Sequence, residues 1–328
     1  MTDGQKIDRK SGAVFSRHES GYLLIRGKDR FSWLQGMVSN DVRRLQNNET
    51  NRLQACILNA TGHLLANITL FSFGEDTLLM EIPLPQTQKI YEILDRFLIM
   101  EEVELEDVSR WVSSRIYLGL PSSFHDDSPS PTVITQVKNY LISDYGGEGS
   151  ESITLFDRSL DLPIPAGELL NSAEDRADVL FTSESEREAW RVEAGIPKWG
   201  NELDERVIPL EANLGETHFS FTKGCYVGQE IIARIDSRGH TNRALTGLLV
   251  KGNVLPEKED KLFTTDEDAK ETGRITSVVA ESPALGNHPI ALGFVRHEHR
   301  APGTKLKTEA GVTLIVTELP FYGATPAT

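Results

Sequence analysis

Cysteine is nearly absent: the 328-residue chain carries Cys56 and Cys225 and no other. That excludes a disulfide framework and fits a reducing compartment. Long apolar runs are missing too. None approaches the length of a membrane span, and Met1 to Gly12 is polar and mixed in charge, without the apolar stretch of a signal peptide. A cytoplasmic protein with no membrane partner is expected. Positive charge is in deficit, with 34 Lys plus Arg against 49 Asp plus Glu and a formal net charge of −15. Phosphate attraction supplies most non-specific affinity for nucleic acid, so no direct nucleic-acid partner is expected. Neither G-x-x-x-x-G-K-[ST] nor H-E-x-x-H occurs, and no G-x-G-x-x-G follows a strand. Nucleoside-triphosphate, zincin and dinucleotide chemistry therefore lose first place. No internal repeat of solenoid period is found either.

A chain of 328 residues has room for two or three domains and a sizeable core. Tyr22 to Ile25 is predicted as a short strand closed by Gly27, and Lys28 to Met37 as a helix with Asp29 as its cap. Arg52 to Asn59 and Leu64 to Phe73 read as strands joined by the tight turn Asn59-Ala60-Thr61-Gly62, with a third strand from Thr77 to Ile82. Gln86 to Ile99 sets Ile90, Leu94, Phe97 and Leu98 on one side of a helix. A strand near Arg115 to Leu120, a surface loop from Pro121 to Pro131, strands Thr132 to Val137 and Tyr140 to Ser143, and the loop Gly146-Gly147-Glu148-Gly149 follow. Ser183-Glu184-Ser185-Glu186 is a capping box opening a helix through Trp190 to Ala194, which Gly195 and Pro197 stop. From Leu245 onward, short strands alternate with turns and the acidic loop Glu257 to Glu271; a small barrel beginning near Thr241 is predicted. Strands mixed with helices, without regular βαβ alternation, make the fold class α+β.

Chemistry concentrates in Lys223-Gly224-Cys225-Tyr226-Val227-Gly228-Gln229-Glu230. The octapeptide reads as a Gly-containing loop feeding the first turn of a short helix that ends in the turn Asp236-Ser237-Arg238-Gly239. Cys225 then stands near a helix N-terminus, where unpaired N–H groups and the macrodipole favour negative charge. Lys223 acts in the same direction, and both raise the thiolate fraction. The plainer alternative is a small buried Cys in a turn. Cys56, within Ala55-Cys56-Ile57-Leu58, is assigned to core packing. The mixed-charge stretch from Arg187 to Arg243 suits a small acidic molecule rather than a polyanion.

The octapeptide resembles the signature of the YgfZ family of folate-binding proteins, relatives of the glycine-cleavage T-protein, a tetrahydrofolate-dependent aminomethyltransferase. The likeness covers most of the chain. Leu34-Gln35-Gly36-Met37-Val38-Ser39-Asn40-Asp41-Val42 is similar to the family's N-terminal block, and Leu58-Asn59-Ala60-Thr61-Gly62-His63-Leu64-Leu65 to its strand–turn–strand. Arg191-Val192-Glu193-Ala194-Gly195-Ile196-Pro197, Glu202-Leu203-Asp204-Glu205 and Ile208-Pro209-Leu210-Glu211-Ala212 match the run before the signature. The octapeptide is specific, whereas the other blocks are shared with the T-protein. One departure separates the branches. The T-protein carries an acidic pair after its strand–turn that positions and polarises the reacting folate nitrogen; Ala66 and Asn67 stand at the matching positions here. Neither can serve as a general base.

The resemblance implies an aminomethyltransferase-like body of two interleaved lobes over residues 1–240 and a C-terminal β-barrel over 241–328. It implies tetrahydrofolate in a central cavity with Cys225 and Lys223 at its mouth. It also implies support for assembly or repair of iron–sulfur enzymes, some of which modify tRNA, so that folate, client enzymes and assembly factors are the expected partners. A folate-dependent one-carbon transferase and a non-catalytic scaffold are the alternatives. A folate site needs stacking surface, a carboxylate or amide for the pterin edge, and cations for the glutamate tail. Arg187 and Arg191, four apart on the capped helix, share a face that either meets the tail or pairs with Glu184 and Glu188 in solvent. Trp199 stacks on the pterin or fills the core; Trp190 is assigned to core. Asn40 and Asp41 either cap the first helix or touch the pterin, and Glu230 is a base or a capping carboxylate. His297 and His299, flanking Glu298, read as an exposed β-edge rather than a metal grip. With so few thiols, resident cluster ligation is not expected, and a transient role for one reactive thiol fits better.

Overall fold

The computed structural model describes residues 13–16, 19–118, 134–142, 149–156, 180–181, 183–252 and 254–324. Two five-stranded sheets and a closed barrel account for the described strands. The first sheet is antiparallel and contains β2 (Ser20–Arg26), β3 (Arg52–Leu58), β4 (Leu64–Ser72), β5 (Thr77–Pro83) and β6 (Glu104–Asp107), in the order β3-β4-β5-β2-β6. The second contains β1 (Ala13–Ser16), β7 (Val112–Leu118), β8 (Ile134–Ile142), β9 (Gly149–Phe156) and β10 (Leu180–Phe181), in the order β10-β1-β7-β9-β8. The barrel closes β11 (Arg243–Lys251), β14 (His288–Arg296), β13 (Glu271–Ser282), β12 (Lys261–Thr264), β15 (Lys305–Thr308) and β16 (Thr313–Thr317) into a ring, with β16 back on β11. The helices are α1 (Arg30–Met37), α2 (Arg43–Gln46), α3 (Thr87–Arg96), α4 (Glu184–Glu193), α5 (Gly215–His218) and α6 (Gln229–Arg238).

Period-two alternation decides where everything else packs. On the first sheet, Leu53, Ala55 and Ile57, then Ala66, Ile68 and Leu70, then Leu78, Met80 and Ile82 form one apolar face. That face meets Trp33 and Leu34 of α1, Leu45 of α2, and Ile90 and Leu94 of α3. The opposite face is divided. Tyr22, Leu24, Phe71 and Leu79 pack on Val112, Ile153 and Leu155 of the second sheet. Cys56, Leu58 and Leu64 instead join a cluster built from α4, the segment through Val207 and Tyr226, α6 and the outer wall of the barrel. The barrel interior has its own core around Leu248, Leu262, Ile275, Leu306 and Leu314. Between the two apolar ends of the divided face lies a polar strip, and the cavity opens there.

The α+β fold and the C-terminal barrel agree with the sequence reading; several local expectations are corrected. The two strands expected over 132–137 and 140–143 are replaced by one unbroken strand, β8, from Ile134 to Ile142; Thr132, Val133 and Ser143 fall outside the described residues. Helix α3 stops at Arg96, so Phe97, Ile99 and Met100 are exposed instead of continuing an apolar side. Asp236-Ser237-Arg238 is not a turn: α6 runs through it and ends on Gly239 at φ 77°. Asp29 caps no amide of α1; its carboxylate accepts from the Glu102 amide. His297 and His299 lie in a 3-10 turn rather than on a strand edge. The loop Pro121 to Pro131 and residues Gly146, Gly147 and Glu148 fall outside the described residues. Among the described residues, no helix is long and apolar enough to cross a membrane.

Candidate functional site

A cavity of about 700 Å³ occupies the polar strip of the first sheet, within the size range of small-molecule sites. Its floor is the sheet itself. Arg52 and Gln54 of β3, Asn67 and Thr69 of β4, and Glu81 of β5 all point into it, because residues two apart on a strand share a face and the register sets Gln54 and Glu81 on either side of Thr69. The opposite wall is Glu184, Arg187, Glu188 and Arg191 from α4, followed by Gly195 to Trp199, and the end wall is Asn213, Leu214, Thr217 and His218. The described lining carries cations (Arg52, Arg187, Arg191, Lys198) and carboxylates (Glu19, Glu81, Glu184, Glu188) in equal number. Such a wall suits a compact ligand with donors at one end and negative charge at the other, not a polyanion.

Helix α4 is fixed at both ends. Ser183 Oγ accepts from the Glu186 amide, and the Glu186 carboxylate accepts from the Ser183 amide, closing the predicted capping box. At the other end Arg191, buried, donates to Glu188, to Glu202 at 2.9 Å, to the Ile196 carbonyl and to Ser277 Oγ of β13. Removing either partner of such a network leaves an uncompensated buried charge. Burial works to raise Glu188, but the hydrogen bonds and charge of Arg191 outweigh it and hold the carboxyl below its ordinary range. Arg191 is therefore the joint between α4, the following loop and the barrel, while Arg187 and Trp199 present themselves to the cavity one turn and one loop away.

Of the residues singled out in the sequence, the structure brings Arg187, Arg191 and Trp199 together on the cavity wall; Asn40, Asp41, Lys223, Cys225 and Glu230 do not line it. Asn40 is buried and bridges chain segments, donating to the Gln54 and Thr217 carbonyls at 2.8 and 3.1 Å. Asp41 accepts from Arg43 and Gln35, and the Arg43 hydrogen bonds pull its carboxyl down to about 2. The Lys223 ammonium is buried and donates to the carbonyls of Gln35 at 2.7 Å, Val38 at 2.5 Å and Asn40 at 3.0 Å. Burial pushes its pKa down to about 8, with Asp41 working against that and Arg43 with it. The Cys225 thiol, two residues on, is at the surface and three residues short of Gly228, the N-cap of α6. Glu230 is exposed in the first turn of α6. Cys56 is buried, and burial pushes its thiol well up, as suits a packing role.

Sequence reading missed Arg52, Gln54, Asn67, Thr69, Glu81, Lys198 and His218 as lining residues. A signal existed for the sheet residues: Arg52-x-Gln54 and Asn67-x-Thr69 repeat at period two, and Glu81 breaks the apolar run Leu78-Leu79-Met80-Glu81-Ile82. Of the two positions that stand for the acidic pair, Ala66 faces the apolar core and Asn67 faces the cavity, its Oδ1 buried without a hydrogen-bond partner. Among the described residues no group of three or more His, Cys, Asp or Glu is placed to hold a metal ion.

An α+β body with a divided sheet, a ligand-sized cavity and a closed terminal barrel defines an aminomethyltransferase-like fold. The crystal structure of glycine cleavage system aminomethyltransferase T from Bartonella henselae superposes with a TM-score of 0.77, covering 97% of this chain and 88% of that one at 18% identity. Residues 243–323 match the family described as Glycine cleavage T-protein C-terminal barrel domain. Two similar proteins, both named Aminomethyltransferase, come from Caldanaerobacter subterraneus subsp. tengcongensis and a Nostoc species. The first is 23% identical over 91% of this chain and 81% of its own length. The second is 26% identical over 98% and 88%. Together these likenesses show an aminomethyltransferase-like fold ending in a barrel of the glycine cleavage T-protein type.

Proposed function

We propose that the cavity is a tetrahydrofolate site and that the protein is a folate-binding factor supporting assembly or repair of iron–sulfur enzymes, with Cys225 as its reactive group. The observation that carries the folate half is the composition of the cavity wall: Trp199 offers a stacking face, Arg187 and Lys198 offer cations for a glutamate tail, and Glu81 and Asn67 offer acceptors for a pterin edge. The choice of a binding factor over an aminomethyl transferase rests on Asn67, an amide at the cavity-facing position where the T-protein branch has an acid. In this reading Cys225 works at the surface on a partner rather than on the folate, and Lys223 serves it by pinning the loop that carries it. Clients that modify tRNA fit the same scheme without direct nucleic-acid contact.

A second reading is folate-dependent one-carbon transfer. It is favoured by the name Aminomethyltransferase on the similar proteins and by a carboxylate, Glu81, in the cavity. One comparison separates the two. Replacing Cys225→Ser in cells is expected to lower iron–sulfur enzyme activity while leaving folding and tetrahydrofolate binding intact, and the purified protein is expected not to turn over an aminomethylated donor with tetrahydrofolate. Turnover that survives Cys225→Ser would establish the transferase instead.

A further inference from the structure

A second cavity, of about 290 Å³, lies where the segment before the octapeptide meets the outside of the barrel, and it is lined by Asp204, Arg206, Val207, Arg243, Glu259 and Arg274. Three guanidiniums thus enter one small space from three directions: the 204–207 segment, β11 and β13. Strand β14 pairs with both β11 and β13, and its Phe294 ring lies beneath Arg243 and Arg274, whose guanidinium carbons are 4.9 and 5.9 Å from the ring centroid. Each guanidinium keeps N–H donors to spare. Arg274 gives both Glu259 oxygens the same nitrogen, at 2.8 and 2.6 Å. Arg243 spends two nitrogens on Glu211, and Arg206 spends two on Asp204. The carboxylates differ in how firmly they are placed. Glu211 is buried. The Glu259 side chain is 56% exposed, against 26% for Arg274. Its backbone stands at φ 73°, a left-handed conformation that a residue with a Cβ adopts at a cost. The Glu259 amide donates to the Ile275 carbonyl, which holds that conformation and keeps the carboxylate over Arg274.

We propose that this cavity is an anion site for the phosphoryl group of a small molecule, and that Glu259 is a built-in carboxylate which the ligand displaces. A planar carboxylate is satisfied by one guanidinium fork. Three forks converging from three segments suit a tetrahedral group with three terminal oxygens. The charges agree. With every acid in place the cluster is neutral. When Glu259 and Asp204 turn out to solvent, Glu211 still neutralises Arg243, and the charges of Arg206 and Arg274 face a phosphoryl dianion. The cavity is larger than a phosphoryl group needs, which leaves room for an ester substituent beside Val207. No residue lines both this cavity and the larger one, so the site depends on neither the folate reading nor Cys225.

The test is phosphorus-31 NMR titration of the full chain with inorganic phosphate and with glycerol 3-phosphate, at constant ionic strength, for wild type, Arg274→Gln, Arg206→Gln and Glu259→Gln. Wild type is expected to bind saturably at one site. Arg274→Gln is expected to weaken binding by roughly tenfold or more, as for a lost hydrogen bond to a charged group. Arg206 has a side chain 82% exposed, so Arg206→Gln leaves folding untouched and keeps the test decisive if Arg274→Gln does not fold. It is expected to weaken binding by roughly two- to fivefold. Glu259→Gln removes the competing charge and is expected to tighten binding by a similar factor. That gain separates a ligand site from a purely structural clasp, in which losing Glu259 only loosens the barrel. Tighter binding of the monoester assigns the site to a phosphate ester, and equal binding assigns it to free phosphate; both support the shared chemistry. No saturable binding to wild type, unchanged affinity in both arginine variants, or no tightening in Glu259→Gln overturns the proposal.

Discussion

The Lys223 ammonium acts on backbone: three carbonyls at the end of α1 and just beyond it converge on one buried nitrogen. Lys223→Met fills the same space without a donor and leaves those carbonyls unpartnered. We expect a loss on the order of 3 kcal/mol in denaturant unfolding, with amide exchange near Ser39 and Asn40 accelerating first. Asp41 makes a pH-dependent contribution nearby. The Arg43 hydrogen bonds hold its folded carboxyl at about 2, against an ordinary 3.8. Stability from this group is present above the ordinary value and is lost as pH falls through about 2. The stability difference between wild type and Asp41→Asn should therefore be full at neutral pH and shrink below about pH 4; a difference that stays constant down to pH 2 contradicts the pairing. Both residues show what single positions conceal. The octapeptide announces a Lys beside a Cys, but whether the Lys charge reaches the thiol depends on where the side chain turns, and it turns inward to carbonyls more than 180 positions earlier in the chain.

At the scale of elements, glycines settle how the octapeptide meets the body. Gly228 has φ 82°, and a Cβ there would lie 2.5 Å from the Asn59 carbonyl oxygen. Gly62, at φ 76°, would collide with Ile231 of α6. The strand turn and the start of α6 thus touch backbone to backbone. Gly224 differs, since a Cβ there meets nothing within 4 Å and its φ is not positive. Gly228→Ala should cost roughly 1–3 kcal/mol, measured as a lowered unfolding midpoint, while Gly224→Ala should change it by less than about 0.5 kcal/mol; equal losses would contradict the packing. Elements set by local rules were legible beforehand. The capping box of α4, the turn Asn59 to Gly62 and the barrel strands all follow from local spacing and turn chemistry. The end of α3 was not, because hydrophobic periodicity carries on past the point where tertiary contacts stop supporting it; the extent of α6 and the continuity of β8 were not, because polar residues that read as breaks, Asp236-Ser237-Arg238 and Lys138-Asn139, are carried inside hydrogen-bonded backbone.

For the molecule as a whole, the cavity exists only because separate segments converge. Its floor comes from β3, β4 and β5, its wall from α4 and the loop after it, and its end from residues 213–218. Arg191 ties that wall to the barrel through Glu202 and Ser277. Such convergence has no one-dimensional signature, which is why the α4 residues were found from helix spacing while Glu81 and Asn67 were not connected to them. The barrel was legible as a module, but not the contribution of its outer wall to the central core through Leu245, Ile290 and Phe294. Whether the cavity holds a folate is tested by titration of the intact chain with tetrahydrofolate, followed by tryptophan fluorescence and calorimetry together. Saturable one-site binding is expected, with Trp199→Phe losing most of the fluorescence change while calorimetry still detects the ligand. No saturable heat and no fluorescence change up to millimolar ligand would contradict it.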